Sequence, residues 1–182
     1  MAAGPLEDGA AAYGRGDYTT ALRLFRRLAD QGDAGAQFSL GAMHFEGTGV
    51  PQDYAAAMKW YRKAADQGDA GAQFNVARMY ENGQGVPQDF ATAVTWYREA
   101  AEQGLADAQI NLGTMYFEGM GVPQDYVRAH MLFNIAAARA PAWDTKTRDT
   151  AVKNRNLVAA KMTPAQIAEA QKLTREWKPK SN

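Results

Sequence analysis

Two histidines, His44 and His130, are the chain's only imidazoles, and a search for a general base or metal ligand starts there. His44 occupies a position that the chain fills with Tyr80 and then Tyr116 at successive steps of 36 residues. His130 takes the place of Met58 and Val94. Both are positions for a packed ring or apolar side chain rather than for proton transfer. No metal-binding HExxH, nucleophile elbow or clustered ligand set appears, and the lack of cysteine removes thiolate chemistry and disulfides. Glu46 and Glu118 are the remaining carboxylate pair to weigh. With helices spaced ~8–10 Å apart they stand roughly 20 Å from each other, whereas glycosidase carboxylates work at about 5–10 Å. Trp60, Tyr61, Trp96 and Tyr97 offer rings on which sugars or bases stack, yet all four fall on a periodic apolar stripe that predicts packing. The residues therefore predict no catalytic group, no cofactor and no metal.

The elements that carry these residues are repeated. GVPQDY at 49–54 returns as GVPQDF at 85–90 and GVPQDY at 121–126. Residues 33–68 and 69–104 are identical at 22 of 36 positions, and residues 105–140 keep the same skeleton. Met43, Met79 and Met115 align, as do Gly47, Gly83 and Gly119, and Ala57, Ala93 and Ala129. Self-similarity on this scale predicts stacked units, each completing its core with its neighbours.

Each unit reads as two helices. From Asp53, residues Ala57, Trp60, Tyr61, Ala64 and Ala65 make one apolar helical face. Asp53 sits where an N-cap belongs and Gly68 where a left-handed residue ends the helix. The preceding helix is expected from about Asp33 to Glu46, with Ala36, Leu40, Met43 and His44 inward and Gly41 small enough for close approach. GTGVPQD must then stop one helix, turn, and cap the next, with Pro51 blocking continuation. Its glycine pair lacks a preceding strand and a P-loop lysine, so a structural turn is the better reading than a phosphate cradle.

The flanks extend the array. Asp17 to Phe25 aligns with Asp53 to Tyr61, after a short helix near Leu6 to Tyr13. Beyond the third copy, a segment from about Asp144 to Lys161 precedes Thr163-Pro164, a cap followed by proline at the first helical position, which opens a helix to about Trp177. Ile167, Ala168 and Ala170 are expected to face inward. The division is one domain of ten helices in five pairs: an N-terminal pair at 1–32, repeats at 33–68, 69–104 and 105–140, and capping helices at 141–182.

Formal net charge is zero, which argues against a nucleic-acid partner. The balance is uneven: residues 1–138 hold ten basic against sixteen acidic residues, and residues 139–182 hold ten against four. No apolar run approaches the ~20 residues that a membrane helix requires. MAAGPLEDG has no signal-peptide pattern, so the chain is expected to be periplasmic or secreted if an export signal has been trimmed, and otherwise cytoplasmic.

The skeleton A-x-A-Q-F-x-L-G-x-M-x-x-x-G-x-G-V-P-Q-D-Y-x-x-A-x-x-W-Y-x-x-A-A-x-Q-G closely resembles the Sel-1-like repeat family, relatives of the tetratricopeptide repeat with a longer loop inside the helix pair. The likeness covers residues 17–140. The third copy departs at Leu132, Phe133 and Ala140, which predicts an irregular exit near Pro141. The tail from Met162 to Lys178 also resembles C-terminal segments of small bacterial repeat proteins. The resemblance implies an all-α, right-handed superhelical solenoid of antiparallel helix pairs. It further implies a non-enzymatic adaptor or scaffold that binds a protein or peptide in its concave groove; the chain is expected to be a monomer. The alternative is a glycan-binding or hydrolytic module using that groove.

Positions that vary among copies point to the contact residues. On the first helix of each pair, Phe38, Ala42 and Phe45 lie opposite the inward stripe. Phe74, Arg78 and Glu81 replace them in the second copy, and Ile110, Thr114 and Phe117 in the third. The leading position stays apolar, as contact between repeats requires. In tetratricopeptide-like solenoids this face lines the groove. The expected partner-binding set is Phe45, Glu46, Arg78, Glu81, Asn82, Thr114, Phe117 and Glu118. Phe45 and Phe117 are apolar anchors exposed in the free protein, the alternative being that neighbouring helices or loops cover both; Arg78 pairs with a carboxylate, and Glu81 and Asn82 set register. The basic C-terminal end, with Lys153, Arg155 and Lys161, is the second surface to consider.

Overall fold

A computed structural model describes residues 4–180, which form ten α-helices and, among the described residues, no strand. The chain divides into two compact units, one ending at Gln88 and the other beginning at Asp89.

The first unit holds α1 (Pro5–Gly14), α2 (Tyr18–Asp30), α3 (Ala34–Glu46), α4 (Tyr54–Asp66) and α5 (Ala70–Asn82). Each of α2 to α5 begins at an aspartate, Asp17, Asp33, Asp53 or Asp69, whose carboxylate accepts from a backbone N–H of the first turn. The core is built from small and flexible side chains: Ala12, Ala21, Phe25, Ala36, Leu40 and Met43 form one buried cluster. Gly41 lets α3 and α4 approach closely, since a Cβ there would lie 2.5 Å from the Tyr61 ring.

The second unit holds α6 (Phe90–Glu102), α7 (Ala106–Glu118), α8 (Tyr126–Arg139), α9 (Thr145–Ala159) and α10 (Pro164–Glu176). Asp89, Asp125 and Asp144 cap three of them, and Thr163 with Gln166 forms a reciprocal capping box on α10. Leu105 stands at the start of α7 without a side-chain cap. Met115, Phe133, Ala136 and Val158 lie at the centre of this unit's core.

The repeated loop earns its constancy by satisfying backbone groups. Gly47, Gly83 and Gly119 end α3, α5 and α7 in the left-handed conformation. Gln52, Gln88 and Gln124 each donate Nε2 to a carbonyl left free in the last helical turn, those of Phe45, Glu81 and Phe117, at 2.8, 2.8 and 2.7 Å. The aspartate that follows caps the next helix. A second repeated device is buried: Gln37, Gln73 and Gln109 donate to the carbonyls of Ala29, Ala65 and Ala101, tying each first helix to the helix before it.

Three expectations are corrected. Tyr61 and Tyr97 are buried, but Trp60 and Trp96 are only half-buried, so the tyrosines and not the tryptophans are the core rings. Ala170 is buried and Ile167 half-buried, whereas Ala168 is exposed, because the inward stripe of α10 is narrower than its alanine content indicates. The last two helices do not make a fifth pair, since each packs chiefly on α8. As the departures in the third copy imply, α8 ends on Ala140 in an extended conformation (φ −55°, ψ 130°), with no left-handed glycine.

Candidate partner-binding surface

The face expected to bind a partner is carried by α3 and α5 in the first unit and by α7 in the second. Packing separates its two classes of residue sharply. Met43, Met79 and Met115 have essentially no exposed surface, as their agreement among copies requires. The variable residues stand at the surface: Glu46, Arg78, Asn82 and Glu118 are exposed, and Phe45, Glu81, Thr114 and Phe117 are half-buried.

In the first unit, the Phe45 ring lies 5.2 Å from Tyr54 and 6.5 Å from Tyr61 between centroids. Glu46 accepts a hydrogen bond from the Tyr13 hydroxyl at 3.0 Å. The Arg78 guanidinium lies 5.7 Å from the Phe74 ring centroid, and Asn82 donates to the Arg78 carbonyl at 2.9 Å. Burial pushes the Tyr61 hydroxyl well above its ordinary pKa. Negative Glu46 pushes the same way and Arg78 opposes it, so both charges act on this one hydroxyl. The structure thus brings Phe45, Glu46 and Arg78 around Tyr61. Asn82 is spent on its own helix.

In the second unit, Thr114, Phe117 and Glu118 line a small cavity of about 150 Å³ closed by Asn154 and Leu157 of α9. Leu157 is one of the few large apolar side chains left exposed, which gives this concavity an apolar rim. Phe117 packs 5.7 Å from Tyr126, with the Lys161 ammonium 5.8 Å from its ring centroid. Lys161 of the basic C-terminal region therefore joins this patch. Arg155 instead donates to Asn134 at 3.0 Å.

The two phenylalanines do not stand free, contrary to expectation. Each leans on the tyrosine that opens the following helix, and the repeated loop folds the chain back so that ring contact is unavoidable. Phe38 and Ile110, the leading positions, are covered as contact between repeats requires: a Cβ on Gly71 would meet the Phe38 ring at 3.2 Å, and Ile110 is buried.

Both histidines sit in packing positions. Burial lowers the pKa of His130, and Arg155 adds to the effect; burial also lowers that of His44. Among the described residues no group of three or more His, Cys, Asp or Glu side chains is arranged to hold a metal ion. No helix among them is long and apolar enough to cross a membrane.

Sequence reasoning missed a larger concavity in the second unit, on the other side of α7. It is bounded by Arg98 of α6, Tyr116 of α7, Arg128 of α8 and Trp177 after α10. One signal was available. Arg128 stands where the other copies have Ala56 and Thr92.

Comparison with known proteins agrees with this architecture. The Sel1 repeat model matches residues 4–33, 34–69, 70–105 and 106–140. A crystal structure of a Sel1 repeat protein from Oxalobacter formigenes superposes with a TM-score of 0.72 at 30% identity, over 94% of this chain and 74% of that one. A protective antigen present in uropathogenic Escherichia coli strains, displaying an SLR fold, gives 0.78 at 36% identity over 87% of this chain. This chain spans only 32% of that antigen's length. A putative Sel1 repeat protein from Klebsiella pneumoniae shares the fold at 23% identity, with a TM-score of 0.58 over 93% of this chain and 91% of that one. No curated protein matches the chain. Four matched repeats, an all-helical fold and solenoid relatives make the chain a member of the Sel1 repeat family.

Proposed function

We propose that this protein is a non-enzymatic interaction module that holds a protein or peptide partner on the variable faces of α3, α5 and α7. Sel1 repeat proteins are generally protein-interaction scaffolds, which supports the general class. The observation that carries the finer reading is the division of labour along these three helices. Positions that agree among copies are sealed in the core, while the neighbouring positions that differ reach the surface. Arg78 and Glu118 supply charge, and Phe45 and Phe117 supply half-exposed apolar area, a combination on which binding energy concentrates.

The test uses the charged residues, because replacing Phe45 or Phe117 would also remove ring packing. Purified chain carrying Arg78→Glu and Glu118→Lys is compared with the parent in affinity purification followed by mass spectrometry. A polypeptide retained by the parent and lost by the variant, at unchanged melting temperature, supports the reading. Equal retention by both moves the partner to another surface.

A further inference from the structure

The concavity on the other side of α7 has the chemistry of a binding site. It encloses about 580 Å³ within the second unit, in the range of ligand-binding clefts. Its floor is apolar: Leu112, Met131, Leu132 and Leu173 line it. Its wall carries the buried Tyr116, whose hydroxyl accepts from Arg98 Nη2 and from Arg128 Nη1, each at 3.2 Å.

That arrangement is electrostatically incomplete. Two guanidiniums meet on one neutral oxygen with no carboxylate between them. Arg128 has a partner on its outer side, Asp125 at 3.4 Å, but Arg98 has no acidic partner among the described residues. The Tyr116 hydroxyl accepts twice, and no described group accepts its own hydrogen. A carboxylate oxygen placed here would take a hydrogen bond from the phenol and from the guanidinium forks, and would offset their mutual repulsion.

The rim adds an aromatic ring and more positive charge. Trp177 lines the cavity and is held from behind by Arg139, 5.1 Å from its ring centroid. Lys178 lines it too. Lys180 is already engaged: its backbone N–H donates to the Glu102 carbonyl at 2.8 Å, and its ammonium lies 3.5 Å from Glu99 and 3.9 Å from Glu102. Glu102 also lines the cavity, so four basic side chains, Arg98, Arg128, Lys178 and Lys180, face one carboxylate there, and the excess charge is positive.

We infer that this cavity binds a peptide segment in which an acidic side chain neighbours a large aliphatic one. The carboxylate lies on Arg98, Arg128 and Tyr116, and the aliphatic group fills the apolar floor beside Trp177. The site is separate from the α3, α5 and α7 face and stands or falls independently of it.

The experiment follows the Trp177 indole N–H and the amide resonances of the full chain by two-dimensional NMR, during titration with the capped peptide SGLELGS. The expected result is a saturable shift of the Trp177 signal. Binding should weaken at least about tenfold for the analogue SGLQLGS and for the Arg98→Gln and Arg128→Gln variants, the loss expected for a hydrogen bond to a charged group. Both arginines are exposed, and unchanged amide signals around Val158, buried in α9 away from the cavity, establish that the variants remain folded. No movement at millimolar peptide overturns the inference, as does equal binding of the glutamine analogue or of both variants. Equal displacement by acetate or inorganic phosphate overturns it too, because the cavity would then take an anion without a peptide.

Discussion

Gly85 shows how much a single position carries in this chain. Its φ of 73° is left-handed, and a Cβ placed there would lie 2.6 Å from the Tyr54 carbonyl carbon and oxygen. Gly121 repeats the situation in the second unit, with a Cβ 2.3 Å from the Phe90 carbonyl carbon. Backbone cannot yield as a flexible side chain can, so two independent penalties coincide. Gly85→Ala should lower unfolding free energy by about 1–3 kcal/mol, measured by urea denaturation. A change within experimental error would mean that the loop relaxes freely. The glycine's role in stopping a helix was readable from the GxGVPQD turn, because left-handed geometry is a local property. Its contact with the start of a helix one repeat earlier was not, because that depends on how the repeats stack. For Phe45 and Phe117 the sequence left exposure and cover by a neighbouring helix or loop both open; the ring that covers each belongs to the residue after the loop in the same repeat.

His130 of α8 is buried, has an unpartnered Nδ1 and feels the charge of Arg155 from α9. Its folded pKa is depressed below the ordinary value of 6.5 by burial first and by Arg155 second. Above about pH 6.5 the ring is neutral in both folded and unfolded chains. As pH falls below that value the unfolded chain takes up the proton first, so stability declines through the depressed folded pKa. His44 acts in the same direction, partly offset by Asp53. His130→Met, which restores the residue of the first repeat, should flatten the loss of melting temperature between about pH 7.5 and about pH 5. An unchanged slope would assign the proton uptake elsewhere. At this scale the helices were legible almost to the residue, because aspartate caps and left-handed glycines mark their ends in the chain itself. The packing of α9 and α10 on α8 was not, since no repeat precedent covers that region.

The molecule as a whole uses one scaffold for two kinds of information. Alanines, methionines and the buried glutamines repeat because stacking demands them, and the resulting helices leave other positions free to diverge. That is why the fold could be read from three copies of one turn, while the contact surface could be read only as a pattern of variation. Arg98, Tyr116 and Arg128 come from three helices, and nothing in their spacing brings them together until α6, α7 and α8 are packed. The central claim is that the variable faces of α3, α5 and α7 are where a partner sits. Site-specific photo-crosslinking tests it most directly, with a benzophenone side chain at Arg78 or Glu118 and, as controls on the second helices, at Lys59 or Thr95, all of which are exposed. The account predicts covalent capture of the same polypeptide from the first pair of positions and not from the second. Capture from Lys59 or Thr95 alone would contradict it.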